Sequence, residues 1–459
     1  MTTYLLALLF GVAVLSFFLS PRVKTTDGFF KGFDADGQAP NLTTLVLSQV
    51  TTWVFARSLM NAAILGFYYG IAGALAYAAY YLSFLVGGIA VDRIRFHHGH
   101  NSIQEFLRSQ FGKVGTSTFN FVVAVRLLSE VFANLLVVGI IFGVAGTLSY
   151  TIAVVVISLL TLGYSMLGGL RASLKTDVMQ ASLLIVSLVA LFALTIGVDG
   201  FSMEAIYTSS PDIEGPGWIL LLVAFLQIWS YPLHDPVMMD RGFLADRETT
   251  RKSFIHAAWI SILVILAFGI IGTFAGLMKS DGEAMVATLT RLLGEPTMLL
   301  FNMALVLSAV STLDSTFSSA SKLSVVDMGL AKPTVSNGRW AMLAFLIGGL
   351  AFLFLGSKDL FAAVAVSGTA SMFLAPVFFF CILGRKSVSS VSYIFAFALA
   401  LSGGVTYMLE AGGYMTVMEP LFGVGHKYAK LLIICGIVMV GGCGAFALGI
   451  KRPVVHAAE

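Results

Sequence analysis

Charge is scarce in this chain. Asp, Glu, Lys and Arg make up 11% of its 459 residues, against about 25% in soluble domains. The net charge of +3 gives no electrostatic case for a nucleic-acid partner. Cysteine is scarcer still: Cys381, Cys435 and Cys443 lie in apolar runs and read as small core residues, not as a disulfide framework or metal site. Long polar stretches are missing too. Every segment without apolar character is shorter than about 25 residues, which leaves no room for a separate soluble domain. No Walker loop, nucleophile elbow or zinc signature occurs, so ATP-driven pumping and hydrolysis are unsupported and the chain does not read as an enzyme. The run RFHHGH, Arg95 to His100, lacks the i, i+4 spacing of a helical ligand pair and reads as solvated or facing lipid headgroups.

What is abundant is apolar. Hydrophobic residues make up 58% of the chain, with 46 glycines and 37 phenylalanines, as expected of a polytopic membrane protein whose small residues let helices approach closely. About 20 apolar residues cross a bilayer. Spans are expected near 3–20, 41–70, 71–91, 115–142, 150–167, 175–197, 217–239, 254–278, 297–321, 339–356, 359–383, 389–409 and 429–450, about thirteen in all. The opening MTTYLLALLFGVAVLSFFLSPRVK has its basic residues after the apolar run, which marks a first membrane helix and not a secretory signal. With the N-terminus outside and the C-terminus cytoplasmic, about 20 of the 27 Lys and Arg fall on the inner side and about five outside, as the positive-inside rule requires. Four basic residues in DRGFLADRETTRK then read as inner-face residues contacting anionic lipid. A multi-pass protein of the cell membrane is expected.

Polar residues inside such spans carry the functional information. Ser308, Ser311, Thr312, Ser315 and Ser319 fall within about one third of a helix circumference at 100° per residue. Lipid offers hydroxyls no partner, so the stripe must face protein, water or an ion. Two spans look interrupted: the second by SQVTTW (Ser48 to Trp53), the seventh by YPLHDP (Tyr231 to Pro236), whose prolines remove backbone donors. Counted from the second span, these are elements one and six of a ten-helix set, and paired interruptions point to an inverted-repeat transporter.

Three segments resemble the sodium:solute symporter family. GGLRASLKTDVMQ (Gly168 to Gln180) is similar to the signature at the start of its fifth core helix. Ser308 to Ser319 is similar to the hydroxyl-rich pattern of the eighth, and DPVMMDRGFLA (Asp235 to Ala245) to the end of the sixth. Gln49 to Trp53 resembles the first core helix more weakly. The chain departs from the pattern at Lys175 (a usual aromatic), at Pro236 and Asp240 (two glutamines) and at Gln49 (Asp in some members). The resemblance implies an all-α, LeuT-type 5+5 inverted repeat with one extra N-terminal helix and two extra C-terminal ones. Its divisions would be 1–40 (extra helix and loop), 41–216 (first repeat), 217–387 (second repeat) and 388–459 (C-terminal helices and tail).

The resemblance further implies a sodium site formed by the carbonyls of Leu47, Val50 and Ser308 and the hydroxyls of Ser311 and Thr312. Asp177 would either steady its helix N-terminus or guide sodium and complete a second ion site with Ser311. Asp314, near the edge of the stripe, is expected to lock a neighbouring helix. Ionisable residues within spans are candidates by default. Arg126 and Glu130 are an i, i+4 pair, whereas Arg57 has no local partner and would bind a solute carboxylate or reach Glu130 or Asp235. Asp235 and Tyr231 lie in the sixth-element break, with His234 a hydrogen-bonding neighbour. Gln49, Thr52 and Trp53 complete the expected solute site, with Tyr68 and Trp229 as further aromatic walls. The expected function is sodium-coupled import of a small polar organic solute by alternating access, an amino acid or related zwitterion or carboxylate suiting the Arg and Asp pair. Alternatives are a sugar or polyol, proton coupling, or a transporter-like solute sensor, against which the short inner segments argue; a channel would need a continuous polar lining that the sequence lacks.

Overall fold

The computed structural model describes residues 2–355 and 366–451. The part of the expected 359–383 span before residue 366, and the tail beyond 451, lie outside the described residues. Among these, the chain is helical, with a single β-bridge between Val388 and Ile450. Ten helices are long and apolar enough to cross a membrane, and the protein is a multi-pass membrane protein. The other three expected spans fall on the shorter apolar helix α1 (Thr2–Leu19) and on the two interrupted elements.

The first interrupted element is α3 (Leu42–Trp53) followed by α4 (Ala56–Ala79). Asn41 starts α3 by accepting the Thr44 N–H at 2.9 Å, a side-chain cap for an otherwise orphaned donor. α4 itself turns sharply at Gly70 (φ 61°, ψ −150°), a conformation open to glycine at little cost. The new helix start there is capped from a distant loop: Ser209 and Ser210 hydroxyls accept the N–H groups of Ile71 (2.8 Å) and Ala72 (3.1 Å). Next come α5 (Ser83–Asp92), α6 (Ile103–Phe142), α7 (Leu148–Gly168), α8 (Leu170–Ile196) and the short α9 (Met203–Tyr207).

The second interrupted element is α10 (Pro216–Gln227), a 3-10 turn at Tyr231–His234 and α11 (Pro236–Gly242). Its prolines explain the interruption. Pro232 and Pro236 both sit at the start of a short helical piece, where the missing N–H is needed least. α12 (Arg247–Leu277) is capped by Asp246, which accepts from Glu248 and Thr249. α13 (Met285–Lys322) turns at Gly294, so its membrane part begins there. α14 (Val335–Leu355), α15 (Val366–Leu383), α16 (Ser390–Ala411), α17 (Met418–Phe422) and α18 (Lys427–Leu448) complete the bundle.

Sites in this bundle depend on α12 lying directly on α4. A Cβ at Gly272 would overlap the Ala63 carbonyl, and one at Gly276 the Phe67 carbonyl. Only hydrogen side chains let the two backbones meet this closely, the usual role of small residues between membrane helices. Gly272→Val is therefore expected to destabilise the protein by about 1–3 kcal/mol or more, since the backbone cannot yield as a side chain does. A lowered melting temperature in detergent checks this, and an unchanged one rejects the packing argument.

Candidate functional site

The first interruption does not fall in the polar patch itself. Helix α3 runs through Ser48 to Trp53, and the extended residues are Val54 (φ −80°, ψ 74°) and Phe55 (φ −65°, ψ 153°). The patch stays helical because the Thr52 hydroxyl donates to the Ser48 carbonyl at 2.7 Å, a back-bond that satisfies it within the helix. The break is held by two other helices and by the 3-10 turn that follows α4. Asn134 of α6 accepts the Ala56 N–H at 3.1 Å, the Tyr81 hydroxyl donates to the Trp53 carbonyl at 2.9 Å, and the Ser308 hydroxyl of α13 donates to the Val54 carbonyl. The carbonyls of Leu47 and Val50 lie one to two turns before the break. That of Val50 accepts the Val54 N–H at 2.9 Å, which leaves it one free lone pair.

The hydroxyl stripe of α13 divides its work. Ser308 lies on the break. Thr312 is fully buried, and its hydroxyl has no hydrogen-bond partner among the described residues. Ser311 donates to Asp177 of α8 at 2.9 Å, and Asp177 also accepts from Ser48 (2.5 Å) and Ser173 (3.3 Å). One turn on, Asp314 accepts from Tyr164 of α7 (2.9 Å) and from Ser173 (2.9 Å) and Thr176 (2.8 Å) of α8. It ties α13 to its neighbours, as the sequence leads one to expect.

Arg241 corrects the sequence reading. It belongs to the basic run expected to face lipid, yet it is fully buried. Its guanidinium pairs with Asp177 at 3.2 Å and donates to Ser48 (2.6 Å), Ser315 (2.9 Å), Ser173 (3.3 Å) and the Val237 carbonyl (2.7 Å). Arg241 lies near the end of α11, whereas Arg247, Arg251 and Lys252 of the same run lie on the first turns of α12.

On the other side of α3 the candidate solute residues meet. Asp235 divides its carboxylate between two tasks. Oδ1 caps α11 through the Met238 N–H (3.2 Å), while Oδ2 accepts from the Trp53 indole and from Arg126, each at 2.8 Å. Arg126 also pairs with Glu130, and Glu130 pairs with Arg57. Arg57 thus finds its partner across helices. Two guanidiniums and two carboxylates, all at most 1% exposed, neutralise one another. The rings of Phe55 and Tyr231 lie 5.1–5.5 Å from the guanidinium carbons, within cation–π range. Trp53, Phe55, Arg57, Ser58, Tyr77, Tyr80, Tyr81 and Tyr231 line a cavity of about 20 Å³, room for about one water. Arg57 Nε and Nη1 have no partner among the described residues.

Other expected members lie elsewhere. Thr52 spends its hydroxyl on its own helix. The Gln49 amide is buried with neither polar atom bonded among the described residues. Tyr68 is 60% exposed and lines a different cavity at the Gly70 end, and Trp229 packs on Phe378 and Phe379. Both are apolar contacts imposed by membrane packing, which an aromatic residue near a break does not distinguish from a pocket wall. His234 has both ring nitrogens engaged, with the Tyr231 carbonyl (2.6 Å) and Ser367 (3.1 Å).

The same architecture occurs in solved transporters. The chain is similar to a sodium-coupled sialic acid symporter in a substrate-bound outward-open state, with a TM-score of 0.73 and 17% identity over 98% of both chains. The fold is LeuT-type. A second similar structure is Mhp1, a nucleobase-cation-symport-1 family transporter in a closed conformation with bromovinylhydantoin bound (TM-score 0.59, 14% identity, covering 93% of this chain and 95% of that one). No family model matches the chain, and no curated protein matches it by sequence.

Arg241 and Asp177 form the tightest test of this geometry. Removing one member of a buried pair typically costs about 3–5 kcal/mol, because the other charge is left uncompensated. Arg241→Met should lower the melting temperature strongly, and Asp177→Asn added to it should restore much of the loss. If the double variant is no more stable than the single one, the pairing is not what holds Arg241 in place.

Proposed function

We propose that the protein is a sodium-coupled symporter of a small polar organic solute, working by alternating access. One observation carries this reading: Ser308 engages the interrupted first element while the buried Thr312 hydroxyl beside it has no partner among the described residues. A neutral oxygen that lacks a donor or acceptor inside a membrane bundle is costly and suits a small hard cation. Leu47, Val50, Ser308, Ser311 and Thr312 are the proposed sodium ligands, with Asp177 close by through Ser311. Both similar structures are cation-coupled carriers by their descriptions, which supports the same use of this fold.

The neighbouring carboxyl groups favour the same place. Asp177 pairs with Arg241, and Asp314 lies beside it through the shared Ser173 hydroxyl, so acidic oxygens border the proposed ion position. The Arg57, Arg126, Glu130, Asp235 cluster is already balanced. The solute side is proposed to comprise Trp53, Arg57, Glu130, Asp235 and Tyr231, with Gln49 and Thr52 on the adjoining helix face. The unused donors of Arg57 suit a carboxylate or zwitterion. A second reading is an uncharged hydrogen-bonding solute such as a sugar, favoured by the internal pairing of all four charges. The halves 41–216 and 217–387 are proposed as the inverted repeats.

One sodium entering down a 100 mV potential releases about 2.3 kcal/mol, and a tenfold gradient adds about 1.4. That sum sustains about 500-fold accumulation of a neutral solute per ion. Radioactive sodium uptake into proteoliposomes, screened against amino acids, carboxylates and sugars, tests the function. Thr312→Ala is expected to raise the sodium concentration for half-maximal uptake about tenfold or more while the protein still folds. Unchanged sodium dependence would reject the ion site.

A further inference from the structure

The lower half of the α13 hydroxyl stripe does something different from the upper half. Ser315, Ser319 and Lys322 lie on one face at i, i+4 and i+7, and each meets α11. Ser315 accepts from Arg241 (2.9 Å), Ser319 donates to Asp240 Oδ2 (3.0 Å), and the Lys322 ammonium donates to Asp240 Oδ1 (2.6 Å). Lys322 and Asp240 are mostly buried, with side chains 20% and 10% exposed. Asp240 is one of the positions where the sequence departs from the family pattern, and Lys322 is the partner that accounts for it.

α11 is short and bounded on both sides by non-helical residues. It has seven residues, with extended Asp235 before it and a non-helical Phe243 after it. Moving such an element away from α13 would ordinarily strand a buried ammonium, at heavy cost. Lys322 has a second carboxylate in reach: Asp327, at the end of its own helix, at 3.4 Å. Asp327 does not depend on α11.

We propose that Lys322 is a two-position bolt for the transport cycle. Bonded to Asp240, it holds α11 against α13 and keeps this end of the bundle shut. Transferred to Asp327, the ammonium keeps a partner when α11 moves away from α13, while Asp240 travels with α11 and the Arg241 bonds to Asp177 and Ser315 break in the same step. Such a bistable contact is how small shifts become discrete states. Lys322 is a positioning residue in this scheme and touches neither sodium nor solute. The proposal rests on the alternating-access reading only for the purpose of the motion.

The test is hydrogen exchange measured by mass spectrometry on the full-length protein in detergent, without sodium or solute. Asp240→Asn and Lys322→Gln should each raise exchange in the 236–246 segment about tenfold, leaving segments 66–72 and 209–217 at the opposite end unchanged. Asp327→Asn should do the reverse and lower exchange in 236–246 about threefold, because the released position has lost its acceptor. The charge swap Asp240→Lys with Lys322→Asp should return exchange close to that of the native protein. The proposal is overturned if Asp327→Asn raises exchange as Asp240→Asn does, if Lys322→Gln changes nothing, or if exchange rises uniformly along the chain. Unchanged sodium dependence in the Thr312→Ala experiment would remove the sodium reading and leave this exchange pattern intact, so the two can fail separately.

Discussion

A peptide group without a helical partner is expensive in hydrocarbon, and this molecule places such groups in its centre. The break at Val54 and Phe55 persists because Asn134 and Ser308 reach it from two other helices and Tyr81 from the turn after α4. Irregular backbone at membrane depth is tolerated only where protein or a polar cavity surrounds it. That requirement fixes the positions of α6, α13 and the Tyr81 turn around α3. It also brings the hydroxyl stripe on one side and the paired charges on the other within reach of the same interrupted segment.

Two buried charge clusters follow from this placement, and they differ in balance. The cluster of Arg57, Arg126, Glu130 and Asp235 has equal numbers of each sign. The cluster of Asp177, Asp314 and Arg241 has one carboxylate in excess. In the proposed reading the ion binds beside the second cluster. Arg241 ties that cluster to the sixth element and Ser48 ties it to the first. Both interrupted elements therefore meet on one carboxylate, that of Asp177.

Much of this was legible in the sequence because membranes simplify the reading. Spans appear as hydropathy, and interruptions as proline at Tyr231 to Pro236. The stripe from Ser308 to Ser319 appears as helical periodicity. The first break was mislocated for a specific reason. The polarity of SQVTTW predicts an interruption at the patch itself, whereas a threonine hydroxyl in a membrane helix has its own i−4 carbonyl available, and Thr52 uses it. The departure occurs at apolar Val54 and Phe55, where no composition signal exists. Arg241 was hidden by its company, since a lone buried guanidinium next to Arg247 and Arg251 cannot be separated from a lipid-facing run without knowing where α11 ends. Tyr68 and Trp229 look like Trp53 in sequence; only the helix they pack against separates a wall from an anchor.

The balanced cluster bears on coupling in the proposed reading. An anionic solute entering beside Arg57 would add one negative charge to a neutral, water-excluded site, and the low dielectric there makes an uncompensated charge costly. A sodium ion arriving on the far side of the same interrupted element supplies the opposite charge, so each lowers the cost of binding the other. Linkage requires that this help be mutual. For an uncharged solute the electrostatic share of that help vanishes, and coupling would rest on sodium drawing the Val54 carbonyl and α13 together. The sign and size of the charge on the solute thus decide whether coupling here is electrostatic or geometric.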